Sequence, residues 1–313
     1  MSFSSRTKDE LAGLRPRNAQ NRRSLLCALT LTAGSITLGQ GIGVQYVTEN
    51  PPVAELVVRL ASALYDVQPY VTVRERERLR ARDTEVRLSG AGCVELLRHC
   101  GCMPGGGSEL NLGHIPPEMI EGEALAKLFL RGAFLGSGSI SAPSKGYHVE
   151  IVCRYEPLAD EVAALIRSFG LNAKCVLRRN TFVVYIKEGD SVAEFLGLIG
   201  AMQSTMAFEN ARILRDVNNN LNRQMNFEDA NMQKAAQAAA RQLLDIETIR
   251  METGLERLPA KLRDAAEIRI NFPEATLSEL AETLSVSKSG LNHRFEKLSL
   301  LAEALRMGKG QNV

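Results

Sequence analysis

The tripeptide Gly-Ser-Ile occurs twice, each time closing an apolar run rich in small residues, and this repeat narrows the fold more than any other feature of the chain. The first run is Leu26-Cys27-Ala28-Leu29-Thr30-Leu31-Thr32-Ala33-Gly34-Ser35-Ile36. The second is Leu130-Arg131-Gly132-Ala133-Phe134-Leu135-Gly136-Ser137-Gly138-Ser139-Ile140. Gly34 and Gly138 stand 104 positions apart, and Ala28 aligns with Gly132 at the same offset. A constant offset is the mark of a duplicated domain. Glycine and alanine have no bulk to hold helices apart, so two such helices can lie close together.

The elements downstream of each run repeat as well. After the first come a strand run to Thr48 able to bend back as a hairpin, a helix from about Pro51 to Leu64, strands near 69–77 and 83–88, and a helix near 90–99. After the second come a strand at about Tyr147–Arg154, a helix at Glu156–Phe169, strands at Ala173–Arg178 and Thr181–Lys187, and a helix at Ser191–Ile199. Both halves therefore read α-β-β-α-β-β-α. Cys100 to Pro117, containing Gly105-Gly106-Gly107, reads as the flexible linker between them.

A chain of 313 residues has room for two or three domains, each with its own core. The apolar fraction of 45% and charged fraction of 24% are those of a soluble globular protein. Net charge is only +2, so any nucleic-acid surface must come from local clustering. No run of about 18 uncharged apolar residues is present, which excludes a membrane-spanning helix. The Ser-rich, charged N-terminus shows no secretion signal. Cys27, Cys93, Cys100, Cys102, Cys153 and Cys175 lie largely in apolar runs, which suits buried, reduced thiols in a cytoplasmic protein.

From Gln203 the texture becomes helical. A helix from Met206 to Leu221 runs into an asparagine-rich break, Asn218 to Gln224. An alanine-rich helix then runs from the N-cap residues Asn226-Phe227-Glu228-Asp229 to Thr253, with Gly254 ending it. Pro259 to about Arg269 is another helix. Thr276-Leu277-Ser278-Glu279 has capping-box form, and Leu277, Leu280, Ala281 and Leu284 make an apolar stripe. After a break at Ser285-Val286-Ser287, Leu291, Phe295 and Leu298 make a second stripe. The break has the length of a helix-turn-helix turn. The opposite arc of the last helix carries small and polar donors suited to base edges and phosphates. Ser287, Lys288, Ser289, Asn292, His293, Arg294 and Lys297 are thus the DNA-binding candidates. The competing reading is a helical hairpin that packs on something else.

Other constellations are weaker. Cys93, His99, Cys100, Cys102 and His114 lack the paired Cys spacing of a zinc site, so no metal is expected. Gly105-Gly106-Gly107 is not followed by Lys-Ser/Thr and is no P-loop. Arg74, Arg76, Arg78, Arg80 and Arg82 alternate with other residues. If that run is extended, a period of two sends every arginine to one side as a phosphate rail, with Val71 and Val73 placing the other side in the core. Arg178 and Arg179 echo it at the equivalent hairpin of the second half. The alternative is a solvated hairpin with Arg/Glu cross-pairs.

The duplicated half, over about residues 21–200, resembles the LAGLIDADG homing-endonuclease fold, in which two copies of this helix pack along a pseudo-two-fold axis and the sheets form a saddle over DNA. In active members of that family the acid just before the terminal glycine holds a divalent metal. Here those positions are Ala33 and Ser137, and the earlier acidic position is Leu31 and Leu135. Neither Ala nor Ser supplies a carboxylate oxygen, so two-metal cleavage is not available there.

Nearly the whole chain resembles the WhiA family of bacterial regulators. The match is carried by Leu130-Arg131-Gly132-Ala133-Phe134-Leu135, Gly138-Ser139, Tyr147-His148 with Glu150, Asn222-Arg223, Ala230-Asn231, Lys234, Gly254-Leu255, Leu258-Pro259 and above all Ser287 to Arg294 with Lys297-Leu298. The resemblance implies an α+β fold of two degenerate LAGLIDADG-like lobes followed by an all-α helix-turn-helix domain similar to sigma-factor region 4. It implies a protein that binds double-stranded DNA, has no enzymatic activity and needs no cofactor. It further implies a role in sporulation, or in cell division and chromosome segregation, at the nucleoid in the cytoplasm. RNA polymerase, a sigma factor or another regulator is the expected protein partner, and the rival readings are a protein-interaction module and a nuclease using other acids. The expected layout is a flexible N-terminus at 1–20, lobes at 21–100 and 121–202 with a linker at 101–120, a helical linker at 203–254 and the helix-turn-helix domain at 255–313.

Overall fold

The computed structural model describes residues 1–39, 41–76, 81–103, 111 and 113–309, the side chains at 76, 81 and 309 excepted. Arg78, Arg80 and the Gly105-Gly106-Gly107 run lie outside the described residues. The chain divides into two compact units, Met1–Asp216 and Val217–Val313.

The first unit opens with α1 (Phe3–Gly13), whose N-cap Ser2 accepts a hydrogen bond from the Ser5 amide at 3.0 Å. Residues 1–20, expected to be flexible, are therefore partly a helix. Phe3, Thr7, Leu11 and Ala12 are buried, and their recurrence at helical spacing supplies the apolar face that fixes it. The first lobe continues as α2 (Ala19–Ala33), β1 (Ser35–Gly39), β2 (Gly41–Thr48), α3 (Pro51–Leu64), β3 (Gln68–Arg76), β4 (Ala81–Ser89) and α4 (Gly92–His99). The second lobe is α5 (Gly122–Ser137), β5 (Gly138–Ile140), β6 (Val149–Cys153), α6 (Glu156–Arg167), β7 (Lys174–Arg178), β8 (Thr181–Ile186) and α7 (Gly189–Leu198). Each lobe holds a four-stranded antiparallel sheet, with orders β1-β2-β4-β3 and β5-β6-β8-β7.

The helices α2 and α5 meet at the centre. Gly132 makes this approach feasible: a Cβ there would lie 2.5 Å from the Leu25 carbonyl oxygen and 2.7 Å from Ala28 Cβ. Around that contact Leu25, Leu26, Leu29, Phe129, Leu130 and Phe134 are fully buried or nearly so, each large side chain contributing roughly 1.5–3 kcal/mol. Gly34 and Gly138 end the two helices with φ of −70° and −75°. Steric room rather than left-handed backbone selects glycine here, since a Cβ on Gly34 would lie 2.4 Å from the Thr30 carbonyl oxygen.

Cross-strand partners share a face, so the register sorts each sheet. Val44, Tyr46, Val86 and Leu88 are buried on the helix side of the first, while Gln45, Glu85 and Arg87 occupy the opposite, open face. Val71 and Val73, expected in the core, point to the helix side but are 48% and 62% exposed. The reason is that β3 is the edge strand. An open apolar cleft lined by Ala54, Val58, Val71 and Val73 remains between it and α3.

Next comes a helix of 51 residues, α8 (Met202–Glu252). Glu10 caps its start, accepting from the Gln203 and Ser204 amides at 2.7 and 2.9 Å. The asparagine-rich break expected over Asn218 to Gln224 is absent, and the helix runs through it. Interior asparagine costs a helix at most about 0.7 kcal/mol relative to alanine, whereas ending it would strand four amides and four carbonyls. The second unit continues with α9 (Ala260–Asn271), α10 (Leu277–Thr283) and α11 (Lys288–Lys309). Its separate core joins Ile246 and Ile249 of α8 to Leu280, Leu291, Phe295, Leu298 and Ala302. No helix among the described residues is long and apolar enough to cross a membrane.

Candidate nucleic-acid interface

The head is built from short-range signals. Thr276 Oγ1 accepts from the Glu279 amide at 3.3 Å, and Glu279 Oε2 accepts from the Thr276 amide at 2.7 Å, closing the capping box that starts α10. That reciprocal bond holds the Glu279 carboxyl below its ordinary range, since the Thr276 amide favours the ionised form. Ser285 turns the chain with φ of 51°. Ser287 Oγ accepts from the Gly290 amide at 3.1 Å and starts α11. Leu291, Phe295 and Leu298 face the core, as the stripe in the sequence requires.

Arg269 fixes the frame beneath α11. It is buried, and its guanidinium donates to Gln242 Oε1 at 2.9 Å and to the Ala275 carbonyl at 2.6 Å. It also lies 5.5 Å from the centre of the Phe295 ring. Burial presses its pKa down, but an arginine stays charged, so carbonyls and a π face take the place of a carboxylate.

Lys288, Ser289, Asn292, His293 and Lys297 are exposed on the outer arc of α11. Ser287, also exposed, is engaged in capping. Arg294 is half-buried and reaches inward to the Lys261 carbonyl at 3.4 Å. Glu296, absent from the sequence-derived set, stands on the same arc. It accepts from Asn292 Nδ2 at 2.8 Å and lies 3.4 Å from His293 Nδ1. Its spacing of three and four from those residues is the signal that could have found it.

The flank of the arc is formed by α8. Asp245 Oδ2 accepts from Ser299 Oγ at 2.7 Å and pairs with Arg306 at 2.8 Å, while Arg306 also reaches Thr248 Oγ1 at 2.9 Å. Asp245 thus meets both Ser299 and Arg306, where α8 and α11 approach each other. A cleft between them is lined by Lys234, Gln237 and Arg241 on one side and Asn292, Glu296 and Ser299 on the other.

The lobes present a different chemistry. Ala33 and Ser137 are the last residues of α2 and α5, with no carboxylate at either position. Ser137 Oγ is buried without a hydrogen-bond partner among the described residues. Arg154, from the second lobe, donates to the Gly34 carbonyl at 2.9 Å and to Ser35 Oγ at 3.1 Å. The five-arginine rail needs correcting. The hairpin pairs Arg74 with Asp83 and Glu75 with Arg82, so Arg74 and Arg82 lie on opposite faces. Both are ion-paired, Arg74 with Glu85 and Arg82 with Glu75, each at 2.9 Å. Arg87 and Gln45 also bind Glu85, whose side chain is only 2% exposed. Arg76 belongs to β3, and its side chain is outside the described residues, as are Arg78 and Arg80. On the second sheet Arg178 donates to Glu150 at 3.3 Å, and Arg179 stands at the hairpin tip with φ of 56°.

Cys27, Cys100 and Cys102 lie close together in the core, but among the described residues no group of three or more His, Cys, Asp or Glu side chains is placed to hold a metal ion. Cys93, Cys100 and Cys102 are buried, His99 lies 3.1 Å from the Tyr65 hydroxyl and His114 lies 2.7 Å from Glu161.

Two α-β-β-α-β-β-α lobes sharing a central helix pair, with a small helical head after them, define a LAGLIDADG-like protein bearing a helix-turn-helix. Three family models match along the chain: the WhiA N-terminal LAGLIDADG-like domain over residues 19–101, the WhiA LAGLIDADG-like domain over 126–218 and the WhiA C-terminal HTH domain over 221–302. The chain belongs to the WhiA family. It is 37% identical over 313 residues to a probable cell division protein WhiA of Clostridium acetobutylicum, covering 98% of this chain and 99% of that one. It is 38% identical over 318 residues to a protein of the same name from Thermoanaerobacter sp. strain X514, covering 98% of each. The crystal structure of full-length DUF199/WhiA from Thermatoga maritima is similar, with 25% identity, a TM-score of 0.60 and coverage of 97% of this chain and 99% of that one.

Proposed function

We propose that this chain is a non-catalytic, site-specific DNA-binding regulator serving cell division and chromosome segregation, or sporulation, at the nucleoid. One observation carries the reading: the outer arc of α11 keeps Lys288, Ser289, Asn292, His293 and Lys297 exposed, clear of the core that Leu291, Phe295 and Leu298 fill. A helix so presented enters a major groove, and each good bidentate base contact contributes about 1–3 kcal/mol of discrimination. The relatives' name, probable cell division protein, supports the biological setting. Replacing Asn292 and Lys297 together by alanine is expected to abolish site-specific binding. Mobility-shift titration against genomic fragments tests this, with circular dichroism as the fold control, and unchanged specificity refutes it.

For the lobes a protein-docking role is favoured over a phosphate rail, because Arg74, Arg82 and Arg178 already hold internal carboxylates. The partner is RNA polymerase, a sigma factor or another regulator. Cleavage is not part of this reading, since the helix-terminal positions are Ala33 and Ser137. Plasmid nicking in magnesium or manganese would contradict it.

A further inference from the structure

We propose that the α8 flank of the head is a phosphate clamp, with Lys234 and Arg241 binding the backbone of the DNA strand that borders the groove entered by α11. The inference rests on the reading of α11 as a major-groove helix. Its own support is the cleft that α8 and α11 line together. Asp245 meets Ser299, and the same cleft is lined by Arg241 and Lys234 farther back along α8 and by Glu296 and Asn292 farther back along α11, toward its first turn. That first turn is the end which leads into a groove. Lys234 thus stands beside the reading end, and Arg241 one cleft-length behind it.

Both cations are exposed, and among the described residues neither has an ion-pair partner. The nearby charges that could have neutralised them are taken elsewhere. Asp245, four residues beyond Arg241, holds Ser299 and Arg306, and Glu296 holds Asn292 and His293. Seven residues of helix separate Lys234 from Arg241 by about 10 Å along the axis. Phosphates of one strand recur every ~3.4 Å of duplex axis, so the two side chains meet different phosphates. A helix serving only as a spacer has no use for two unpaired cations on the side facing the reading arc.

The test uses the full chain and a fluorescent mixed-sequence DNA duplex, monitored by anisotropy across a salt series. Phosphate contacts do not depend on sequence, so no target site is needed. Lys234→Ala with Arg241→Ala is expected to reduce the slope of log K against log salt by about 1.8, at ~0.9 per contact. Over a roughly fourfold rise in salt the unsubstituted chain then loses about tenfold more affinity than the variant. Lys234→Arg with Arg241→Lys is expected to keep the original slope. Both positions are exposed, and matching circular dichroism confirms the fold. An unchanged slope in the alanine variant, with binding by the unsubstituted chain intact, overturns the clamp alone. No binding by the unsubstituted chain overturns the reading of α11 as well.

Discussion

Glu296 places a negative charge in the middle of the arc that carries Asn292, His293 and Lys297. Beside phosphates a carboxylate is repelled, but on the floor of a major groove it accepts from a cytosine amino group. Glu296→Ala is expected to change the preferred base at one position of the bound site, altering discrimination by about 1–3 kcal/mol. Affinity for mixed-sequence DNA should rise slightly as the repulsion is removed. Selection from a randomised duplex pool reads both effects, and an unaltered preference at every position would remove Glu296 from the reading set. The contrast with Thr276 shows what a sequence discloses at this scale. The capping box is a contact over three residues and can be read from spacing alone. Glu296 has the same short spacing to Asn292 and His293, yet its importance depends on where α8 leaves the arc open, and that is a long-range fact.

At the scale of elements, the repeat in the sequence located the helix pair because its signal is sterics. Gly132→Ala is expected to destabilise the first unit by about 1–3 kcal/mol, since the added methyl group meets the Leu25 carbonyl oxygen and Ala28 Cβ. Chemical denaturation checks this, and a loss below measurement would show that α2 and α5 yield easily. The open-face arginines were not legible in the same way. Alternation along Arg74 to Arg82 holds only while the strand continues, and pairing Glu75 with Arg82 reverses the faces. Asn218 to Gln224 misled for another reason. Local propensity there is poor, but the energy of continuing a helix already formed outweighs it.

For the whole molecule, the two cores titrate differently. Burial pushes the Cys153 thiol from its ordinary value of 9.0 up to about 12, with Cys175 adding to the effect. Below pH 9 folded and unfolded chains both keep this proton. Between about 9 and 12 the unfolded chain releases it while the folded chain retains it, so stability falls as pH rises through that window. Cys153→Val, which fills similar space, is expected to soften the alkaline fall of the first unit's melting temperature. Equal slopes for both proteins across pH 9 to 12 would exclude the thiol as a cause. The second unit contains no cysteine, so its alkaline behaviour should not change.

The seclusion of Cys27, Cys93, Cys100, Cys102 and Cys153, with Cys175 half-buried, has a practical corollary. An alkylating reagent added to the native chain meets Cys175 first, and the mass added beyond one adduct reports interior opening. Three of the shielded sulfurs, Cys27, Cys93 and Cys100, belong to the first lobe, Cys102 directly follows it and Cys153 belongs to the second, so the pattern of adducts tells which lobe has come apart. The molecule thereby carries its own record of where it loosens, written in the order in which its sulfurs become reachable.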